Sequence, residues 1–285
     1  MSIRLDSVTY TYNKGTAYES DALKSVSFEI ENGEFVALIG HTGSGKSTLI
    51  QHFNGLIRPT VGHVLYNDED IWGDRYDRRK LRFQVGLVFQ YPEHQFFEAT
   101  VLKDVCFGPK NRGCTDSEAE ELAKRALADV GLEGDIYERS PFEISGGLKR
   151  RVAIAGVLAM EPETIILDEP TAALDPKGKR EILGLLSKLH KERNMTVILV
   201  SHSMEDVAEY AKRIIVLNKG SIAFDGRPAE VFSHYEQLEK MSLSAPQITY
   251  VMHALKNRGL DVDTSAITVE EAKDSIIETL GRKKC

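Results

Sequence analysis

The stretch that most restricts what this chain can become runs from Phe35 to Phe53. An apolar run, Phe35-Val36-Ala37-Leu38-Ile39, leads into Gly40-His41-Thr42-Gly43-Ser44-Gly45-Lys46-Ser47-Thr48 and then Leu49-Ile50-Gln51-His52-Phe53. A buried strand, a glycine-rich turn and a helix start are written consecutively. Glycines at 40, 43 and 45 let the backbone bend until successive N–H groups point into one concavity, to which the following helix adds its positive N-terminal end. Such a concavity suits a polyphosphate. The spacing fits G-x-x-x-x-G-K-S/T with an added central glycine, so Lys46 is placed to reach the terminal phosphates and the Ser47 hydroxyl to bind Mg²⁺ beside them.

The remainder of the chain supplies an α/β frame for that loop. Ile3 and Leu5, then Val8, Tyr10 and Tyr12, alternate with polar residues, as do Val26, Phe28 and Ile30, which predicts half-buried strands. Glu31-Asn32-Gly33-Glu34 predicts a tight hairpin joining the second of these to the strand before the glycine-rich turn, hence an antiparallel β-subdomain at the N-terminus. Further strands are expected at His63-Val64-Leu65-Tyr66, at Val85 to Phe89 ending in Gln90, at Ile165-Ile166-Leu167 ending in Asp168-Glu169, and at Val197-Ile198-Leu199-Val200 running into Ser201-His202. Helices are expected from Thr115, capped with Glu118, across Arg151 to Met160, and from Asp175 with Pro176 at its first position. Strands alternating with helices predict a mainly parallel sheet with functional groups at the strands' carboxyl ends. Ile214 to Phe224 reads as a closing hairpin through Asn218-Lys219-Gly220. Past Asp225-Gly226 the pattern is helical only, with Gly259 stopping one helix and Thr268 with Glu271 opening the last. The expected division is therefore 1–225 and an appendage of 226–285.

Composition narrows the class. At 285 residues there is room for one large domain with a small appendage, and the net charge of −7 argues against a nucleic-acid binder. The basic cluster Arg75, Arg78, Arg79, Lys80 and Arg82 reads as a solvated face. Three cysteines, Cys106, Cys114 and Cys285, lack metal spacing and suit a reducing compartment. No apolar run approaches the ~18 to 20 residues needed to cross a bilayer, so membrane attachment would run through a partner.

The chemistry concentrates at two carboxylates. Asp168, at the end of a buried strand, is the expected anchor for the Mg²⁺ that Ser47 also touches. Glu169 is expected to orient and polarise the attacking water while Lys46 and Mg²⁺ absorb charge. Ser145-Gly146-Gly147 looks like a second anion-binding helix start.

The glycine-rich loop, Gln90, Ser145-Gly146-Gly147, Ile165 to Glu169, Ala173-Leu174-Asp175 and His202, in that order, resemble the ATPase subunits of ATP-binding-cassette (ABC) transporters over roughly residues 3 to 225. The resemblance implies a P-loop cassette with a helical signature subdomain that binds ATP with Mg²⁺. It implies that Tyr12 stacks on adenine, that Gln90 joins metal and water while sensing the transport partner, and that His202 contacts the terminal phosphate. Asp175 is placed with the nucleotide-contacting set on the same ground. It also implies a head-to-tail dimer, each ATP lying between one subunit's loop and the other's Ser145-Gly146-Gly147. One departure stands out: Ile144-Ser145-Gly146-Gly147-Leu148 replaces the usual Leu-Ser-Gly-Gly-Gln, which puts the turnover of the site completed by this motif in question. Tyr10 to Asn13, Gln90-Tyr91-Pro92-Glu93-His94-Gln95, Phe107 to Asn111, Val152 to Pro162 and the tail around Leu255 to Val262 are similar to energy-coupling-factor (ECF) importers, most of all to the second of their two ATPase subunits. That similarity implies a homologous ATPase as partner, favouring a hetero-pair. It also implies a membrane scaffold docked near Gln90 to Gln95, an interchangeable membrane protein that binds vitamins or other micronutrients, and a peripheral place on the cytoplasmic membrane face. A soluble ABC ATPase outside transport, or a nucleotide-binding scaffold that no longer hydrolyses, are the alternatives. The single cassette speaks against the first, and Glu169 with His202 against the second.

Overall fold

A computed structural model describes residues 2–91, 95–172 and 174–282. Among these, ten strands form two sheets. The smaller sheet holds β1 (Ile3–Tyr12) and β2 (Ser20–Ile30); the next strand, β3 (Phe35–Ile39), precedes the glycine-rich loop and helix α1 (Lys46–Phe53). β4 (Val61–Tyr66) and β5 (Glu69–Asp70) return to the smaller sheet, whose order is β2-β1-β4-β5, with every pairing antiparallel. Helix α2 (Arg78–Gln84) leads into β6 (Val85–Val88), and the helices α3 (Val101–Arg112), α4 (Asp116–Asp129) and α5 (Gly146–Leu158) follow. β7 (Thr164–Asp168), α6 (Pro176–Arg193), β8 (Thr196–Val200), α7 (Met204–Tyr210), β9 (Arg213–Asn218) and β10 (Ser221–Gly226) complete the larger sheet, ordered β10-β9-β3-β8-β7-β6. It is parallel except for the β9–β10 hairpin. The chain ends in α8 (Pro228–Ser233), α9 (Tyr235–Lys240), α10 (Gln247–Asn257) and α11 (Val269–Arg282).

All five residues of β3, of β7 and of β8 are buried, because both faces of the larger sheet are covered. Successive side chains alternate between two cores. Phe35, Ala37, Ile39, Ile165, Leu167, Val197 and Leu199 join the helices α3 to α8 on one side. Val36, Leu38, Ile166, Ile198 and Val200 meet α1 and the small sheet on the other. Val231, Phe232, Leu238, Leu243, Ala245 and Ile267 belong to the first of these cores, whereas Met252, Val262, Ala266 and Ala272 form a small cluster of their own.

The expected hairpin between β2 and β3 does not form. The two strands lie in different sheets, and Glu31 to Glu34 carries the chain between them. The turn is sealed by β8 instead: the Gly33 N–H donates to Thr196 Oγ1 at 2.8 Å, with Gly33 at φ 74. A strand as apolar as β3 is stabilised more by two parallel neighbours than by one antiparallel partner on a half-wet sheet. Helices α2 and α3 were not signalled by periodicity. The basic cluster lies largely on α2 and is mostly exposed, yet its guanidinium groups are used: Arg82 donates to the Gly55 carbonyl at 3.2 Å, and Arg78 lies 4.9 Å over the Trp72 ring.

Candidate active site

Four parallel strands end at one cleft. β3 delivers the glycine-rich loop, β6 delivers Gln90, β7 delivers Asp168 and Glu169, and β8 delivers His202. The cleft, about 400 Å³, is lined by Tyr12, Thr42, Gly43, Gly45, Lys46, Ser47, Thr48, Gln90, Asp168, Glu169 and His202. Eleven sequence-selected residues thus converge from stretches spread between positions 12 and 202. The parallel order β3-β8-β7-β6 makes this happen, since it sets the C-terminal ends of all four strands along one edge.

The loop is built by close approach. A Cβ on Gly40 would come 2.4 Å from the Leu217 carbonyl oxygen, and one on Gly45, at φ 107, would come 2.5 Å from the Ala22 carbonyl oxygen. Gly43 adopts φ 80. Lys46 is buried beneath the loop, its Nζ donating to the carbonyls of Gly40 at 2.5 Å and His41 at 3.2 Å. Burial holds its ammonium below the ordinary lysine range, while Glu169 and Asp168 pull it back up. Ser44 is wholly buried and, among the described residues, its Oγ has no hydrogen-bond partner.

The Ser47 hydroxyl donates to Asp168 Oδ2 at 3.3 Å, a hydroxyl and a carboxylate brought together across 121 residues. Burial raises the Asp168 carboxyl, against the pull of Ser47 and Lys46. Glu169 adopts φ 52, uncommon for a residue with a side chain, while its N–H donates to the Val200 carbonyl at 3.0 Å. Its carboxyl is pushed up to about 7, first by burial and then by the neighbouring Asp168 charge. Among the described residues Glu169 Oε1 finds no hydrogen-bond partner, and His202 Nε2 stands 3.5 Å away, too far for a good one. Burial lowers His202. Ser203, not His202, caps α7, its hydroxyl accepting from the Asp206 N–H at 3.3 Å, so His202 is free of a capping duty.

Tyr12 is 40% exposed at the rim, its hydroxyl 3.0 Å from Thr48 Oγ1 and its ring edge-on to Tyr10. Ser20, Asp21 and Ala22 also line the cleft. No pattern singled them out; the register that pairs Tyr12 with Ser20 and Thr11 with Asp21 puts them there.

Ser145, Gly146, Gly147 and Asp175 do not line the cleft. Ser145 caps α5, accepting from the Leu148 N–H at 3.5 Å, and Asp175 caps α6, accepting from the Gly178 N–H at 2.9 Å. Among the described residues, a Cβ on Gly146 would meet nothing within 4 Å, and one on Gly147 only Leu174 at 3.8 Å. Internal packing therefore does not require glycine at either position. Leu148 is half-buried against the main core, so its apolar side chain serves this chain's own packing. Ala173, and Pro92, Glu93 and His94 of the expected docking surface, lie outside the described residues.

Comparison with known proteins places this geometry. The family described as ABC transporter matches residues 23–172. Energy-coupling factor transporter ATP-binding protein EcfA2 of Clostridium tetani is 53% identical over 284 residues, covering 99% of this chain and 99% of that protein. The protein of the same name from Acetivibrio thermocellus is 53% identical, covering 97% of this chain and 98% of its own. Among solved structures, cbiO1 from Clostridium perfringens, part of the ABC transporter complex cbiONQ, is 38% identical with a TM-score of 0.74, covering 89% of this chain and 98% of that one. A dimeric ATP-binding cassette in a post-hydrolysis state bound to ADP and Pi is 33% identical with a TM-score of 0.71, covering 79% of this chain and 98% of that one.

Proposed function

The chain belongs to the ABC transporter family, and from that premise we propose that it is the ATP-hydrolysing subunit that energises an energy-coupling-factor importer of vitamins or other micronutrients. The observation that carries the reading is the convergence of Lys46, Ser47, Gln90, Asp168, Glu169 and His202 on one cleft at the ends of four parallel strands. ATP is the substrate. The backbone N–H groups from Gly40 to Thr48 and the buried Lys46 ammonium would hold its phosphates, with the Tyr12 ring against the base.

The donor set also fits Mg²⁺: a hydroxyl, a carboxylate and an amide, Ser47, Asp168 and Gln90, line the cleft, with Ser47 and Asp168 already within 3.3 Å. When bound, the ion would neutralise charge developing on the phosphates. Glu169, half-buried with one oxygen lacking a hydrogen bond among the described residues, is the group to hold the attacking water in line, and His202 the group to meet the terminal phosphate.

Gly146 and Gly147 support a shared site. Glycine in a helix's first turns costs up to ~1 kcal/mol against alanine, and neither position is crowded by the described residues of its own chain. A phosphate held by another subunit, approaching the Ser145 end of α5, gives those glycines a reason. The partners are then a homologous ATPase in a hetero-pair, a membrane scaffold and a substrate-binding membrane protein, with the chain on the cytoplasmic membrane face. Among the described residues no helix is long and apolar enough to cross a membrane. The segment 226–285 is assigned as the appendage that holds the ATPases together, and Val251, Ile277 and Leu280 are exposed on it at 47%, 58% and 50%.

The test is to tag the chain, purify it from its native cells in mild detergent and identify stoichiometric companions by mass spectrometry. A second cassette ATPase with a multi-spanning scaffold is expected. Recovery with ribosomes or DNA, or with no membrane protein, overturns the transport role.

A further inference from the structure

Arg150 is a charged side chain only 6% exposed, set in the second turn of the helix that Ser145 caps. A guanidinium is not removed from water without compensation. Part of it is one contact: Nη1 donates to the backbone carbonyl of Gln90 at 2.7 Å, across 60 residues of sequence. The two ends of that bond belong to different duties. Gln90 lines this chain's own nucleotide cleft, whereas α5 begins with Ser145-Gly146-Gly147, which lies outside it.

We propose that Arg150 is a positioning residue that fixes the Gln90 backbone to the signature helix, so that the amide in this chain's cleft and the Ser145 end offered to a second subunit move as one piece. The inference rests on the reading of Gln90 and of shared sites given above. A buried guanidinium suits the task because its planar fork leaves it little rotational freedom once one N–H is seated on a carbonyl, whereas a lysine offers a single mobile point charge. Any tilt of α5 on its neighbours α3 and α4 is then transmitted to the end of β6, where Gln90 begins its loop. Arg150 also lies close enough to Glu169 for its charge to oppose, weakly, the burial that raises that carboxyl.

The experiment is a double-mutant cycle in the purified, assembled transporter. Arg150→Met, close in length and apolar, removes the donor without leaving a buried charge, and Arg150→Lys keeps the charge without the fork. Steady-state kcat and the KM for ATP are measured for each, for Gln90→Ala and for the combinations, with the thermal midpoint of each complex. If Arg150 acts through Gln90, Arg150→Met lowers kcat by about tenfold with KM within twofold, and adds nothing in the Gln90→Ala background. Arg150→Lys falls between wild type and Arg150→Met. Losses that multiply across the two sites, or a rise in KM that tracks a fall in thermal midpoint, overturn the proposal and leave Arg150 as ordinary core. A Gln90→Ala complex that hydrolyses at the wild-type rate overturns the reading of Gln90, and this proposal with it.

Discussion

Lys46 and Glu169 set the cleft's electrostatics between them, and each can be tested alone. Burial lowers the lysine ammonium's pKa, and the charges of Glu169 and Asp168 oppose that fall. Lys46→Ala removes the only lysine among the described residues that line the cleft. Charge-assisted contacts to phosphate are worth about 2 to 3 kcal/mol, so ATP affinity is expected to fall by roughly 30-fold or more, read by equilibrium binding. Unchanged affinity would sink the phosphate-cradle assignment. Glu169→Gln is expected to abolish steady ATPase activity while ATP binding persists. It also carries a pH signature in the nucleotide-free protein. Because the folded carboxyl is pushed up from 4.5 to about 7, its contribution to stability is fully present below the unfolded value and is lost as pH rises through 7. Glu169→Gln should therefore stabilise the protein at pH 8, by no more than about 3 kcal/mol, and leave it unchanged near pH 4. Denaturant melts in chelator at the two pH values decide it; an equal gain at both would show that charge is not the cause.

At the level of elements, one arginine ties the larger sheet to the smaller one. Arg213, opening β9, donates Nε and Nη2 to Asp225 at 2.7 and 2.8 Å, and Nη1 to Glu34 at 3.1 Å and to the Glu29 carbonyl at 2.8 Å. β9, β10, the end of β2 and the turn before β3 meet there. The bidentate bond to Asp225, then the nearby carboxylates, raise its pKa despite partial burial. Arg213→Met should cost about 2 kcal/mol in a urea melt, since one bidentate pair and one backbone contact go together. A loss below a few tenths would mark it as an ordinary surface ion pair. How legible each element was in the sequence follows from how local its cause is. The Thr115 and Glu118 capping box of α4 and the matching Thr268 and Glu271 pair of α11 are written within four residues and were read correctly. The start of α6, with Asp175 as its cap and Pro176 in its first turn, was equally plain. Helix α3 was not, because Gly108 and Pro109 interrupt it; Gly108 is needed there for contact with Met160, where a Cβ would come 2.7 Å from Cγ. The partners of β3 were hidden for the same reason: a five-residue apolar strand does not say which strands flank it. In the cleft, every residue that follows a strand end was found by motif, and Ser20, Asp21 and Ala22, which owe their place to register, were missed.

Over the whole molecule, the C-terminal helices are joined to the nucleotide-binding body unequally. Val231, Phe232, Leu238 and Leu243 are at most 6% exposed and sit in the same core as Phe35 and Leu199, whereas the cluster of Met252, Val262, Ala266 and Ala272 is self-contained. Burial of four large apolar side chains at ~1.5 to 3 kcal/mol each amounts to about 6 to 12 kcal/mol, of the order of an entire domain's net stability of ~5 to 15 kcal/mol. A chain ending after Gly226 should therefore fail to fold. One ending after Pro246 loses only Ile267 and the Tyr250 contact from the main core, so it should melt cooperatively and still bind ATP. If 226–285 is the segment that holds two ATPases together, that second truncation also separates folding from pairing. It should bind nucleotide with near-native affinity, yet co-purify with less of the second ATPase and hydrolyse more slowly. Calorimetric melting with and without ATP, followed by light scattering of the truncated chain mixed with the second ATPase, reads both properties. A chain ending after Gly226 that melts as the full protein does would show that the core closes without α8 and α9. Undiminished pairing after Pro246 would move the dimer contacts onto the cassette faces around Ser145 and the cleft.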